Sequence, residues 1–251
     1  RFADGSGFEG HSFGNLFLSA LTTITGSLEK AVQASSKVLS VQGQVIPATG
    51  TDVMLWAELE NGEKIFGESL IGKSKRPISR IGCLPENPSA LPTALDAIKE
   101  ADLIILGPGS LYTSLLPNLL VPEIVESLLK SDAPKIYISN LMTQPGETDG
   151  LDVYQHIKSI EKQLSSFGVN SRIFTSILSQ IEFEESSLID YYRSRGAEPV
   201  ICDKRKLISE GYYVLQVPLY ARKITPTLRH DSRRLSRAVM YLYRKIKKAN
   251  Q

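Results

Sequence analysis

The chain has 251 residues, 42% of them hydrophobic and 22% charged, with a formal net charge of +2. At ~150 residues per domain this reads as a single α/β domain over 1–251, and so small a charge gives no pull toward nucleic acid or an anionic membrane. No run approaches the ~18 apolar residues of a spanning helix, and no secretory signal is visible, which argues against membrane insertion.

Cys83 and Cys202 lie in apolar contexts without a Cys-x-x-Cys partner, so they read as reduced, buried thiols of a cytoplasmic protein. The chain opens Arg1-Phe-Ala-Asp-Gly-Ser-Gly7 without an initiator Met, which suggests a fragment. Ser12 is positioned to cap a helix whose Phe13, Leu16, Phe17, Ala20 and Leu21 follow helical spacing. His11 and Asn15, four apart around that cap, suit a phosphate or sugar oxygen. Ser27 caps a second helix, Leu28 to about Leu39, with Ala31, Val32 and Val38 expected on its buried side.

From Gln44 the period shortens to two. Val45-Ile46 and Asp52 to Glu60 alternate as strands do, Asn61-Gly62 is a hairpin turn, and Glu63 to Glu68 returns as the partner. Pro77 to Leu84 reads as another strand, which makes a small antiparallel hairpin insertion at about 44–84. The basic turn Gly72-Lys-Ser-Lys-Arg-Pro77 is either a phosphate clamp or a solvated loop.

Pro85 to Ala101 reads as a helix leading into Asp102-Leu-Ile-Ile-Leu106, expected to be a short strand covered on both faces. Gly107-Pro-Gly109-Ser110 is then a tight turn. Ser110, Thr113 and Ser114 place hydroxyls beside backbone N–H groups, and a helix begins near Pro117. Strand, Gly-rich turn and helix start make an anion cradle; an ordinary βα turn is the alternative. The pattern then repeats: helix Pro117–Lys130, strand Lys135–Ser139, loop 140–150, helix Leu151–Ser166, strand Arg172–Thr175, helix Ser187–Arg195 ending at Gly196. Short strands at Pro199–Cys202 and Tyr212–Val217 follow, then a last helix from about Asp231.

Alternation of this kind implies a Rossmann-like three-layer α/β sandwich with a mostly parallel sheet. Ligands of such sheets bind at the carboxyl ends of the strands, where loops 107–117 and 140–150 both lie. Asn140, Thr143 and Gln144 suit sugar or base recognition. Glu147 and Asp149 suit sugar hydroxyls or a metal ion, and Asp149 equally suits a cap for the following helix. Of His11, His156 and His230, only His11 falls near the expected crevice.

These residues carry a resemblance. Gly10-His-Ser-Phe-Gly-Asn-Leu-Phe-Leu18, Leu106-Gly-Pro-Gly-Ser-Leu-Tyr-Thr-Ser114, Pro117-Asn-Leu-Leu-Val121 and Asn140-Leu-Met-Thr-Gln-Pro-Gly-Glu-Thr-Asp149 resemble the bacterial gluconeogenesis-factor family of the 2-phospho-L-lactate transferase-like superfamily. The resemblance implies a regulatory protein linked to cell shape and cell-wall synthesis during gluconeogenic growth, which binds a nucleotide sugar of the UDP-N-acetylglucosamine type. The transferase branch instead moves a phospholactyl group from a nucleotide diphosphate donor, with Mg2+.

The ligand contacts implied are His11, Asn15, Gly107, Gly109, Ser110, Tyr112, Thr113, Ser114, Asn140, Thr143 and Gln144. Tyr192 and Arg229 match positions proposed in the family to contact the ligand: an aromatic ring for uracil and a guanidinium for the diphosphate. Relatives also carry a first strand and a Gly-rich phosphate loop that would precede Arg1. The sheet is therefore expected to lack strands and to expose an edge, and no residue is assigned to a Mg2+ site. A homo-oligomer is compatible with the family.

Three classes compete. A binding regulator without turnover is preferred over a Mg2+-dependent phosphotransferase of the phospholactate type. A nucleic-acid binder using Arg233, Arg234, Arg237, Arg244, Lys245, Lys247 and Lys248 comes last, because a solvated helix face explains those charges.

Overall fold

The computed structural model describes residues 12–40, 42–74, 76–184, 186–220 and 227–249. The two expected N-terminal helices form as a hairpin, α1 (Phe13–Thr25) and α2 (Leu28–Val38). Ser12 Oγ accepts from the Asn15 N–H at 3.1 Å, and Gly26 ends α1 in the left-handed region at φ +79°. The apolar stripe of α1 has helical spacing but no buried member, Phe13 being 67% exposed. On α2, Ala31 and Val32 are buried as expected while Val38, at the end of the helix, stays 67% exposed.

Next comes a three-stranded antiparallel sheet of β1 (Met54–Leu59), β2 (Lys64–Phe66) and β3 (Ile78–Leu84), ordered β2-β1-β3. Its hairpin turns at Asn61-Gly62: Asn61 Oδ1 accepts the Glu63 N–H at 3.1 Å, and Gly62 sits at φ +84°. Gly82 of β3 lies beneath the Trp56 ring so closely that a Cβ there would come within 2.3 Å of it. The strand expected at Val45-Ile46 does not form, since only an isolated bridge, Thr49 to Ala90, anchors that segment. A single helical turn, α3 (Glu68–Ile71), precedes the basic turn. There Arg76 pairs with Glu63 at 2.6 Å on the surface, which favours the solvated-loop reading; Lys75 lies outside the described residues.

The second sheet has four parallel strands in chain order, β4 (Ile104–Leu106), β5 (Lys135–Ile138), β6 (Ser176–Gln180) and β7 (Tyr213–Val217). Helices α4 (Pro92–Glu100), α5 (Pro122–Lys130) and α6 (Val153–Ser165) precede or connect β4 to β6, and α7 (Ser187–Arg193) and α8 (Lys204–Ser209) lie between β6 and β7. The chain closes with α9 (Ser232–Ala249). Tyr137 and Ile177 face one core with Ile124 and Leu128 of α5 and Ile157 and Ile160 of α6. Ile136, Ile138 and Leu178 face the other with Ala238, Val239 and Leu242 of α9. Helix, sheet, helix is the expected three-layer α/β arrangement.

Several boundaries differ from the sequence reading. Among the described residues β4 lies at the end of the strand order with Ile105 43% exposed, where the apolar run suggests cover on both faces. The helix expected from Pro117 to Lys130 is broken in two: after one π-helical turn at Leu111–Leu115, a 3-10 helix at Leu116–Leu120 carries Pro117 in its first turn, and α5 begins only at Pro122. A proline lacks the N–H that an interior helical position needs, so Pro122 fits the first turn of α5. The strand expected at 172–175 forms at Ser176–Gln180 instead. It is buried throughout, with Ser139 Oγ to Ser179 Oγ at 3.0 Å and Gln180 Oε1 on the Leu219 N–H at 2.6 Å satisfying its polar groups. Pro199–Cys202 makes only a bridge from Pro199 to Met142, and α8 has no counterpart in the sequence reading.

Candidate functional site

Loops 107–117 and 140–150 leave the carboxyl ends of β4 and β5, as the topology requires, and they are latched together. Gln144 Nε2 donates to Ser110 Oγ at 2.7 Å, and Thr113 Oγ1 lies 3.3 Å from each oxygen of Glu147. Gly107 makes the sharp exit from β4 possible: its φ is +87°, and a Cβ would fall 2.8 Å from the Ile138 carbonyl oxygen on the neighbouring strand. A Cβ on Gly109 would meet Ser114 Cβ at 3.4 Å. Gly107, Pro108, Gly109, Ser114 and Asn118 line a groove of about 310 Å³ beside β4.

The backbone N–H groups of this turn are not all free. Ser114 N–H and Leu115 N–H both go to the Ser110 carbonyl, at 3.0 and 2.9 Å, closing the π-helical turn. Tyr112, expected at the ligand, is 4% exposed, and its hydroxyl lies 3.2 Å from the Ile78 carbonyl and from Ser159 Oγ, packing the turn onto β3 and α6. Thr143 stitches its loop to the segment before α8, its N–H donating to the Glu198 carbonyl at 2.7 Å and its Oγ1 accepting the Glu198 N–H at 2.8 Å. Asp149 does not cap α6. Its carboxylate accepts the Gly146 N–H at 2.7 Å inside the loop, while Asp152 and Gln155 form a reciprocal capping box. Asn140 is half-buried, Asn15 is exposed on α1, and His11 lies outside the described residues.

Glu147 is 8% exposed. Burial pushes its carboxyl above the usual range and Glu68 adds to that, while the Thr113 hydroxyl and the Tyr112 backbone amide pull it back. Gln144 Oε1 is buried without a hydrogen-bond partner, so one acceptor at the loop junction is unsatisfied.

The two C-terminal candidates come together. The Tyr192 hydroxyl accepts the Leu228 N–H at 2.7 Å, which sets exposed Arg229 next to that contact. The following residue corrects the histidine expectation: His230 hydrogen-bonds the Ser139 backbone carbonyl at the end of β5, so it too belongs to the carboxyl edge. Its Nε2 is buried and unpartnered, and burial holds its pKa below the ordinary value. Adjacency to Arg229 was the available signal. His156, by contrast, is a core residue whose Nδ1 lies 3.3 Å from the Tyr137 hydroxyl. Among the described residues no three His, Cys, Asp or Glu side chains converge as a metal set.

Residues 1–220 match the family model described as 2-phospho-L-lactate transferase CofD. The gluconeogenesis factor of Bacillus subtilis is 41% identical over 236 residues, covering 94% of this chain and 73% of the relative. The chain belongs to the gluconeogenesis-factor family within the CofD group. A relative from Nostoc sp. is 46% identical over 243 residues, and this chain spans 52% of its length, about half. A crystal structure of a UPF0052-family protein from Bacillus halodurans superposes with a TM-score of 0.86 at 39% identity, over 96% of this chain and 76% of that one. Family membership agrees with the fold, with its parallel sheet and separate small antiparallel sheet, and among the described residues no helix is long and apolar enough to cross a membrane.

Proposed function

We propose that this protein binds a nucleotide sugar of the UDP-N-acetylglucosamine type at the carboxyl edge of the parallel sheet. In this reading it acts in the cytoplasm as a regulator of cell shape and wall synthesis during gluconeogenic growth. The supporting observation is the junction of the two strand-end loops, where Ser110 and Gln144 meet at 2.7 Å and leave the Gln144 Oε1 acceptor unpaired. A ligand N–H or hydroxyl satisfies that acceptor. The diphosphate lies toward the 107–114 turn, with Arg229 as its exposed charge partner and Tyr192 as the aromatic neighbour of the base.

Titration calorimetry with UDP-N-acetylglucosamine, with and without Mg2+, tests the reading. Arg229→Ala is expected to weaken binding about tenfold or more, the loss of a charge-assisted hydrogen bond to phosphate. Unchanged affinity in both Arg229→Ala and Gln144→Ala would move the site elsewhere. The name of the matching family model favours a second reading, phospholactyl transfer from a nucleotide diphosphate donor. Formation of a phospholactyl-deazaflavin product in the presence of Mg2+ would replace the regulator with an enzyme.

A further inference from the structure

The hydroxyls of the 107–114 turn are engaged in opposite senses, and the difference decides what each can offer an anion. A hydroxyl has one proton to donate, and a phosphate oxygen only accepts. Ser110 Oγ accepts from the Gln144 amide, so its own proton remains free for a ligand. Thr113 Oγ1 points its proton at Glu147, 3.3 Å from both carboxylate oxygens, so with Glu147 ionised Thr113 can only accept. With Glu147 ionised the turn holds an internal anion, and a phosphate arriving at Thr113 meets a negative charge one hydroxyl away.

The Tyr112 backbone amide hydrogen-bonds the Glu147 carboxylate and eases that charge without cancelling it. Among the described residues no ion pair reaches it. Glu68 on α3 adds repulsion, and Gly72 brings backbone close to Oε1. A cavity of about 270 Å³ is lined by Glu60, Asp149, Lys158 and Lys162 as well as Glu147. Both lysines have other partners: Lys158 Nζ pairs with Glu161 at 2.8 Å, and Lys162 Nζ reaches Ser79 Oγ at 3.1 Å.

We infer that binding of a phosphorylated ligand against Thr113 takes one proton from solvent onto the Glu147 carboxylate, which then donates to Thr113 Oγ1 and frees the Thr113 hydroxyl to donate to the phosphate. No covalent bond of the ligand changes; the proton comes from buffer and returns to it on release. Glu147 is a positioning residue that sets the polarity of Thr113, and burial favours the protonated form it must adopt. The inference rests on the reading that ligand phosphate lies at this turn.

The test is calorimetry on the whole protein in pairs of buffers with different ionisation heats, from pH 6 to 8. The probes are UDP-N-acetylglucosamine and inorganic sulfate, neither of which titrates in that range. Wild type should take up as much as one proton on binding, and affinity should fall by up to tenfold per pH unit where free Glu147 is ionised. Glu147→Gln presents a permanent amide donor to Thr113, so uptake should vanish and affinity become flat with pH, at least as tight as wild type at pH 8. Thr113→Val, which removes the relaying hydroxyl, gives a second check: the pH dependence should be lost.

Nucleotide sugar bound without proton uptake overturns the coupling and leaves the proposed function standing. Sulfate bound with uptake while the nucleotide sugar fails to bind does the reverse. Binding of neither overturns both, and so does nothing to rescue Thr113 as an anion contact.

Discussion

Gly107 shows how one residue can hold a strand-end loop in place. Its φ of +87° disfavours any side chain, and a Cβ would press to 2.8 Å on the Ile138 carbonyl, a backbone atom of a central strand that cannot swing aside. Gly107→Ala should therefore cost about 1–2 kcal/mol or more in chemical unfolding, from the left-handed conformation alone, and should loosen the Ser110–Gln144 contact. The matching loss of ligand affinity is measurable by calorimetry; a variant as stable as wild type would show that the turn relaxes at no cost. Sequence singles out Gly107 as a turn residue, but not the strand carbonyl it must avoid, because that neighbour comes from β5, some thirty residues on. For the same reason Glu147 reads from sequence as a contact for sugar hydroxyls or a metal ion, whereas in the fold it lies against the Thr113 hydroxyl.

At the scale of elements, helix starts are written locally and strand limits are not. Ser12, Ser27 and Asp231 each accept from a backbone N–H three residues on, as their positions predict. Asp152, one residue inside the helix predicted from Leu151, does the same for α6 within a capping box. Asp152→Ala should remove about 1 kcal/mol of stability, a fall in Tm of about 2–4 °C for a domain of this size, without changing ligand affinity. A thermal melt indistinguishable from wild type would mean that packing of Ile157 and Ile160 fixes α6 without its cap. β6 is the contrary case: Ser176, Ser179 and Gln180 give it a polar sequence, yet it lies fully buried between β5 and β7, its polar groups satisfied by neighbours distant in the chain.

For the molecule as a whole, pH dependence of stability follows from the groups that folding buries. His156 is fully buried on α6 and its pKa is lowered to about 4, chiefly by desolvation. Below its ordinary value near 6.5 the unfolded chain takes up a proton that the folded chain refuses, so stability falls as pH drops from about 6.5 toward 4, by up to ~3 kcal/mol. Glu147 acts in the opposite direction. Its raised pKa gives stability that is present in acid and lost as pH rises through the folded value. Urea unfolding at pH 7 and pH 5 should show a lower midpoint at pH 5, and His156→Gln should flatten that difference. An equal pH dependence in the variant would assign the acid sensitivity to other groups. The exposed charges of α9, Arg233, Arg234 and Arg237 among them, all face solvent and bear on solubility more than on the fold.

The sequence by itself determined the class of fold, the hairpin at Asn61-Gly62, the capped helices and the two loops that meet at the carboxyl edge of the sheet. These are encoded by short-range periodicity and by residues whose preferences act within a few positions. Tertiary structure decided where β6 begins, that Tyr112 packs inward, that the Tyr192 hydroxyl meets the Leu228 N–H and that His230 reaches the Ser139 carbonyl. It also decided which partners the hydroxyls of the 107–114 turn meet. Each of these depends on what approaches from elsewhere in the chain, because burial and hydrogen-bond direction belong to the partner as much as to the residue.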